Sequence, residues 1–187
     1  SWFGSVMELI NNITMLAIIL TGSALIRERE HGTLEHLLVM PVTAFEIMVS
    51  KIWSMGLVVL LASGMSLTFV IQGLLKVPVE GSVLLFLAGT ALHLFAVTSM
   101  GIFLATIAQN MPQLGMLLIL VLMPMQMLSG GMTPRESMPE IVRTVMMIAP
   151  TTHFVEFSQA ILYRGAGMEV VWRPFLWIAG IGMTLFL

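Results

Sequence analysis

The amino-acid sequence predicts an all-α membrane protein, a polytopic bundle of transmembrane helices. Of its 187 residues, 58% are hydrophobic and only 10% are charged, whereas about 25% of the residues in a soluble domain are charged. Long uncharged apolar runs recur along the chain at lengths that suit bilayer-spanning helices. The runs lack the alternation of a membrane β-barrel, and backbone groups in lipid must be satisfied within the span, so helices are expected.

The expected spans lie at about 5–26, 52–75, 83–108, 114–130 and 172–187. The last run is shorter than the roughly 20 residues that cross a bilayer, and the chain begins at Ser1 without a methionine. We therefore expect one membrane domain over residues 1–187 that is truncated at both ends and belongs to a longer protein.

The composition argues against several classes of function. The net charge of −2 gives no reason to expect a nucleic acid partner, and the absence of cysteine excludes disulfides and thiolate metal sites. The sequence contains no GxxxxGK[ST] phosphate loop, no HExxH and no GxSxG. His31 and His36 are five residues apart and do not share a helical face. We therefore expect no catalytic residue, metal or cofactor on this chain.

Residues 27–51 hold seven of the eighteen charged residues, between two strongly apolar runs. Within them, TAFE at residues 43–46 has the spacing of a capping box. It predicts a helix that begins at Thr43 and continues into the second span. Pro41 disfavours helical geometry at the preceding residue, so any earlier helix ends near Val39.

That earlier piece is expected to be a short amphipathic helix. Leu34, Leu37 and Leu38 share one face, while Glu35 and His36 point away from it. Two interpretations stay open from the residues alone. The piece is either an interfacial helix with a solvated charge run or a docking element for another protein.

Two separate stretches resemble one family. EREHGTLEHLLVMP, residues 28–41, is similar to the cytoplasmic segment of ABC-2 type transport permeases, the membrane subunits of ATP-driven exporters. MLSGGMTPRESMPEIVRTVMMIAPTTHFVEFSQAILYRG, residues 127–165, resembles the segment after the fifth helix of the same family. Their order and the spacing of the spans also agree, so the likeness covers essentially the whole chain.

The resemblance implies the ABC-2, or type V exporter-like, architecture. The chain would cover the second to sixth helices of a six-helix, multi-pass subunit in the bacterial inner membrane. Residues 27–51 would form a cytoplasmic coupling region, and residues 131–171 would form an external re-entrant helical hairpin. The positions of Lys and Arg do not by themselves settle this orientation.

The resemblance also implies a transport function without an ATPase site of the chain's own. Substrate, with hydrophobic small molecules or drugs as candidates, would cross by alternating access that is powered by ATP and Mg on separate ABC ATPase subunits. A second permease subunit, as homodimer or heterodimer, the lipid bilayer and a periplasmic adaptor protein are the other candidate partners. The alternative is an ATP-independent channel or an ion-coupled secondary transporter, for which His93 would be the only titratable midplane group.

Three sets of site residues follow from the resemblance. ATPase coupling is expected at Arg27, Glu28, Arg29, Glu30, Gly32, Thr33, Glu35, Leu37 and Leu38. The translocation pathway is expected at Asn11, Asn12, Met123, Gln126 and Met127. The outer gate is expected at Gly130, Gly131, Pro134 and Pro139. Many family members have a bulky apolar residue where this chain has Gly131 and Met132, which leaves the shape of that gate open.

The outer segment has its own helix signals. Gly130 and Gly131 suit a helix end, since glycine adopts left-handed geometry without a Cβ clash. SMPE at residues 137–140 has capping-box spacing and predicts a helix over about 138–148, stopped by Pro150, with a second helix over about 152–163. Two such short helices form either a re-entrant hairpin or a pair of helices on the outer leaflet.

His93 lies inside the third span, where ionisable residues are rare. It either belongs to a proton or substrate path, or is a neutral histidine that bonds to a neighbouring helix. The methionines near Gln126 are open to a similar choice. They either line a path for hydrophobic cargo, since methionine adapts to varied partners, or serve ordinary packing.

Overall fold

The computed structural model describes residues 2–32, 39, 41–76 and 78–187. Every regular element in these ranges is helical, which confirms the predicted fold class. The first four helices are α1 (Trp2–Glu30), α2 (Ala44–Met65, continued as a π-helical segment over Ser66–Leu74), α3 (Val83–Ile107) and α4 (Met111–Leu128). A 3-10 turn at Arg135–Ser137 precedes α5 (Glu140–Met146), α6 (Pro150–Arg164) and α7 (Met168–Phe186).

Within the described ranges, four helices are long and apolar enough to cross a membrane, and they include the first four expected spans. Their bounds are Gly4–Glu30, Phe45–Leu74, Val83–Ile107 and Met111–Leu128. The fifth expected span lies within α7, which carries Glu169 and Arg173 near its beginning. α1 and α7 therefore extend past their apolar runs to include charged residues at one end.

The predicted start of α2 is confirmed. The amide of Glu46 donates to Thr43 Oγ1 over 3.2 Å, and the amide of Thr43 donates to Glu46 Oε2 over 2.7 Å. The helix then continues through Leu74, as the sequence predicted. The short amphipathic helix that was expected around Leu34, Leu37 and Leu38 lies outside the described residues.

α3 lies at the centre of the bundle and packs against α1, α2, α6 and α7. It approaches α1 closely, because a Cβ on Gly101 would lie 2.9 Å from the carbonyl oxygen of Ile18. A Cβ on Gly182 of α7 would lie 2.9 Å from Phe95 Cδ1 of α3. Small residues at helix crossings allow backbones to come this close, so α1, α3 and α7 form the tightly packed centre.

α2 and α4 carry broad exposed apolar faces in this chain. Phe69 on α2 is 70% exposed, and Met116 and Leu120 on α4 are 72% and 70% exposed. Exposed apolar surfaces of this extent are suited to lipid or to another subunit. The two helices therefore form the outer walls of the described bundle.

The outer segment differs from the prediction at its first helix. The capping box at residues 137–140 is wrong, because Ser137 belongs to the 3-10 turn and its hydroxyl donates to the carbonyl oxygen of Pro134. Pro139 occupies the N-cap with extended geometry and makes no side-chain cap, so α5 covers only Glu140–Met146. α6 begins at Pro150 rather than at residue 152, since proline fits the first turn of a helix.

α5 and α6 form a hairpin whose tip lies level with the middle of the long helices. Phe154 stacks on His93 in the middle of α3, with ring centroids 3.9 Å apart. His153 stacks on Trp177 in the middle of α7 at 5.5 Å. His153 Nε2 lies 2.8 Å from the carbonyl oxygen of Met147. The far end of α6 returns to the surface, where the amide of Glu80 donates to the carbonyl oxygen of Leu162.

Candidate functional site

α1 ends in the charged run RERE, residues 27–30, beside the end of α3 and the beginnings of α2 and α4. We call this the charged end of the bundle, and the opposite end, next to α5 and α6, the hairpin end. Glu28 forms an ion pair with Lys51 of α2. The two side chains are 31% and 14% exposed, so the pair is largely shielded from water and attaches α1 to α2.

Arg29 and Glu30 attach α1 to the turn between α3 and α4, residues 108–111. Arg29 Nη1 donates to the carbonyl oxygen of Ala108, the C-cap of α3, over 2.7 Å. The amide of Met111, the first residue of α4, donates to Glu30 Oε1 over 3.1 Å. A cation at a helix C-terminus and an anion at an N-terminus both match the helix dipole and satisfy unpaired backbone groups. We call this pair of contacts the turn clamp.

Three of the nine predicted coupling residues thus contact helices of their own chain. Arg27 has an exposed side chain, and Gly32 has a φ of +69°, which lets the chain leave the helix direction. Thr33, Glu35, Leu37 and Leu38 lie outside the described residues. ATPase contact by any of the nine stays a prediction, and the observed contacts add a second role for Glu28, Arg29 and Glu30.

The predicted pathway residues lie on two neighbouring helices. Asn11 and Asn12 are half-buried on α1, and Gln126 is half-buried on α4. Met123 and Met127 on α4 are 61% and 55% exposed. α1 and α4 adjoin where a Cβ on Gly22 would lie 3.4 Å from Leu114 Cδ2. The role of these five residues in a pathway stays a prediction.

Sequence reasoning missed Glu8, an exposed acid on α1. Asn12 Nδ2 donates to Glu8 Oε1 over 3.2 Å, and both residues line a groove between α1 and the π-helical end of α2. A sequence signal was present, because residues four apart share a helical face.

The predicted outer gate residues lie between α4 and α5. Gly130 has a φ of +95°, as expected for a glycine that ends a helix. Gly131 is restricted by space instead, since a Cβ there would lie 2.8 Å from Met7 Sδ of α1. Pro134 is the N-cap of the 3-10 turn, and Pro139 is the N-cap of α5. Their role as a gate stays a prediction.

His93 is fully buried and bonds to a neighbouring helix. Its Nε2 lies 2.9 Å from Thr14 Oγ1 of α1, and its ring stacks on Phe154. Its Nδ1 has no hydrogen-bond partner among the described residues. These contacts favour the packing interpretation of this histidine, because the ring joins α1, α3 and α6.

Comparison with known proteins gives one family for most of the chain. A family profile described as ABC-2 type transporter matches residues 3–163. The inner membrane transport permease YhhJ of Escherichia coli (strain K12) is 68% identical over 186 residues, which is 100% of this chain and 50% of that protein.

More distant relatives have names that specify a transport class. The probable multidrug ABC transporter permease YbhR of the same strain is 29% identical over 177 residues, 94% of this chain and 47% of that protein. The probable multidrug ABC transporter permease YbhS is 30% identical over 157 residues, 82% of this chain and 41% of that protein. The chain therefore spans about half the length of the curated relatives that it matches.

Proposed function

The chain belongs to the ABC-2 type transporter family, and we propose that it acts as the permease part of an ATP-driven exporter. Members of this family are membrane transport subunits, and the several membrane-crossing helices belong to a multi-pass protein of the bacterial inner membrane. In this proposal, ATP and Mg bind to separate ABC ATPase subunits on the cytoplasmic side. The charged end of the bundle faces those subunits.

The contacts at the charged end carry the proposal. Glu28 joins α1 to α2, and the turn clamp joins α1 to α3 and α4. A displacement of the segment that follows Glu30 would therefore reach all four long helices together. Such a connection is what a permease needs if an ATPase is to change the arrangement of its helices.

The energy required is compatible with the number of charged groups. Moving a two-state equilibrium from 1:99 to 99:1 takes about 5.5 kcal/mol of differential binding. A hydrogen bond to a charged group contributes roughly 1.5–3 kcal/mol. Between two and four contacts between an ATPase and groups such as Arg27 and Glu35, depending on the strength of each, would add up to about that amount.

A second permease subunit would complete the pathway. α4 exposes Met116, Leu120 and Met123 on one side of the bundle, and its neighbour α1 carries Asn11 and Asn12. Two such surfaces that face each other would enclose a path with apolar walls and a few amides. Such a path would suit hydrophobic small molecules, which agrees with the multidrug names of two relatives.

The proposal is tested with the full-length permease in liposomes. Co-purification with an ABC ATPase and nucleotide-dependent movement of a hydrophobic dye are the expected results. Dye movement that continues without nucleotide or ATPase would contradict the proposal and would indicate a channel or an ion-coupled carrier.

The coupling contacts are tested by the double change Glu30→Ala and Glu35→Ala. It should weaken ATPase association or allow ATP hydrolysis without transport, because one carboxylate leaves the turn clamp and another leaves the predicted ATPase surface. Glu136→Ala, an exposed acid near the hairpin end, is the matched control and should behave as wild type. Full transport by the double variant would count against the proposed coupling.

A further inference from the structure

A groove of about 450 Å³ lies between α1 and the hairpin end of α2. Most of its lining is apolar and includes Leu9, Val59 and Ile71. The carboxylate of Glu8 supplies its charge, and Asn12 and Ser66 add an amide and a hydroxyl. Ligand pockets of about 300–1,000 Å³ with apolar walls and few polar groups are typical of sites for small organic molecules.

The shape of the groove depends on the π-helical segment, Ser66–Leu74. Three residues of the segment and its C-cap line the groove: Ser66, Val70, Ile71 and Leu75. Val70 and Ile71 lie four and five residues after Ser66, and Leu75 lies five and four residues after them. That spacing matches a helix whose backbone bonds run from residue i to i+5, and such π-helical turns occur frequently at functional sites. The segment thereby places Val70 and Ile71 in the same groove as Glu8.

Glu8 lies at a depth where a carboxylate is costly. Thr14, which contacts His93 in the middle of α3, marks the middle of α1. Glu8 is six residues closer to the hairpin end, a distance of about 9 Å along a helix. With the bilayer midplane at Thr14, Glu8 would lie within the hydrocarbon, whose half-thickness is roughly 15 Å. An ionisable residue at that level calls for a partner.

The described part of the chain supplies only a neutral partner. Asn12 donates one hydrogen bond to Glu8, and neither ion pair in the described residues includes Glu8. Lys76, the residue after Leu75, makes no ion pair with Glu8 either. The groove therefore combines an apolar surface with a carboxylate that makes no ion pair among the described residues.

We propose that this groove binds lipophilic cations, with Glu8 as the counter-charge and the π-helical wall as the apolar contact. The inference rests on the proposed exporter function and specifies its substrate class. An organic cation would supply the missing positive charge and bury its apolar groups against Ile71 and Val59. A neutral compound of the same shape would use only the apolar wall.

The test measures binding of tetraphenylphosphonium to the full-length permease with its ATPase, in lipid nanodiscs without nucleotide. Glu8→Gln should weaken tetraphenylphosphonium binding about tenfold or more, as expected when one charged contact is lost. Binding of triphenylphosphine oxide, a neutral compound of similar shape, should stay unchanged. Glu136→Gln removes the same charge from an exposed position away from the groove and should leave both affinities at wild-type values.

A second variant tests the groove itself. Ala62, which lines it, is replaced by Trp to reduce its volume, and Ala62→Trp should weaken binding of both compounds. Three results would overturn the inference: unchanged tetraphenylphosphonium binding in Glu8→Gln, equal loss of both compounds in that variant, or no loss in Ala62→Trp. Binding is measured without nucleotide, so a failure of ATPase association or ATP-driven transport would overturn the proposed function and leave this result in place.

Discussion

Glu30 stabilises the bundle through a single backbone amide. Its carboxylate accepts from the amide of Met111 at the N-terminus of α4, where a negative charge is also favoured by the helix dipole. Residues that cap a helix N-terminus in this way typically contribute about 1 kcal/mol. The contribution of Glu30 to the free energy of unfolding therefore has two parts, a hydrogen bond and a charge, which substitutions by Ala and Gln separate.

Glu30→Ala should lower the free energy of unfolding by roughly 1 kcal/mol, because both the hydrogen bond and the charge are lost. Glu30→Gln retains an oxygen that can accept from Met111 and should lose less than half as much. Thermal unfolding of the purified permease in detergent measures both, with Glu136→Ala as the exposed control. Equal stability of Glu30→Ala and the control would show that the contact with α4 is dispensable.

A substitution at Gly131 tests the predicted outer gate by adding a single side chain. A Cβ at this position would lie 2.8 Å from Met7 Sδ, the end of a flexible side chain. Gly131→Leu should therefore be accommodated by movement of Met7, with transport reduced several-fold at near-normal expression.

Gly180→Leu is the matched control, since no atom lies within 4 Å of a Cβ there. Dye export in liposomes and the amount of folded protein are measured for both variants. Wild-type transport by Gly131→Leu would argue against a gate at this position, and loss of folded protein in Gly131→Leu alone would indicate a structural role.

Local signals in the sequence predicted the start of α2 correctly and the start of α5 incorrectly. The capping box at Thr43 formed because its extended N-cap leads directly into α2. The same spacing failed at Ser137, because a 3-10 turn engaged its hydroxyl with Pro134. The turn clamp joins residues about eighty apart in sequence, with separations of 79 and 81, so no local pattern could have indicated it.

At the scale of elements, the hairpin of α5 and α6 lies deep among the long helices. Its tip contacts the middle of α3 and α7 through Phe154 and His153. The family resemblance implied a re-entrant hairpin, and two surface helices were the alternative, since both have short, half-apolar helices. The stacking contacts with His93 and Trp177 depend on tertiary packing, so no local pattern could indicate them. They support the re-entrant hairpin, which stays a prediction.

Cysteine labelling measures the depth of the hairpin. Ile148, next to the tip, is 74% exposed on this chain and should be embedded in lipid, whereas Glu136 should lie in water. Ile148→Cys should react at least about tenfold more slowly than Glu136→Cys with a membrane-impermeant maleimide, because thiolate formation requires water. Similar rates in intact vesicles would place the hairpin on the outer surface.

The positions of the long helices were predictable from the sequence, because the length of an apolar run determines whether a helix can cross a bilayer. Four apolar runs became the four membrane-crossing helices of the described chain. The π-helical segment at Ser66–Leu74 was not predictable, because π-helical turns have no composition that separates them from α-helix. The groove beside Glu8 depends on that segment, so it could not be recognised from the sequence.

At the scale of the whole molecule, charged groups at the charged end join α1 to α2 and α4. α2 and α4 pack against the central helices along narrow faces, and their charged-end contacts go to Glu28 and Glu30 of α1. The family assignment supplies the reason for such a connection, since an ABC-2 permease works with its ATPase on a separate subunit. The charged end is thus the proposed entry point of the force.

Site-specific photo-crosslinking tests this central claim most directly. A benzophenone side chain replaces Arg27, whose side chain is exposed at the charged end, and a control replaces Phe69 near the hairpin end of α2. If the charged end receives force from an ATPase, position 27 crosslinks to an ABC ATPase subunit in a nucleotide-dependent yield, while position 69 gives no such crosslink. Crosslinks from position 27 to phospholipid alone, with and without ATP, would contradict it.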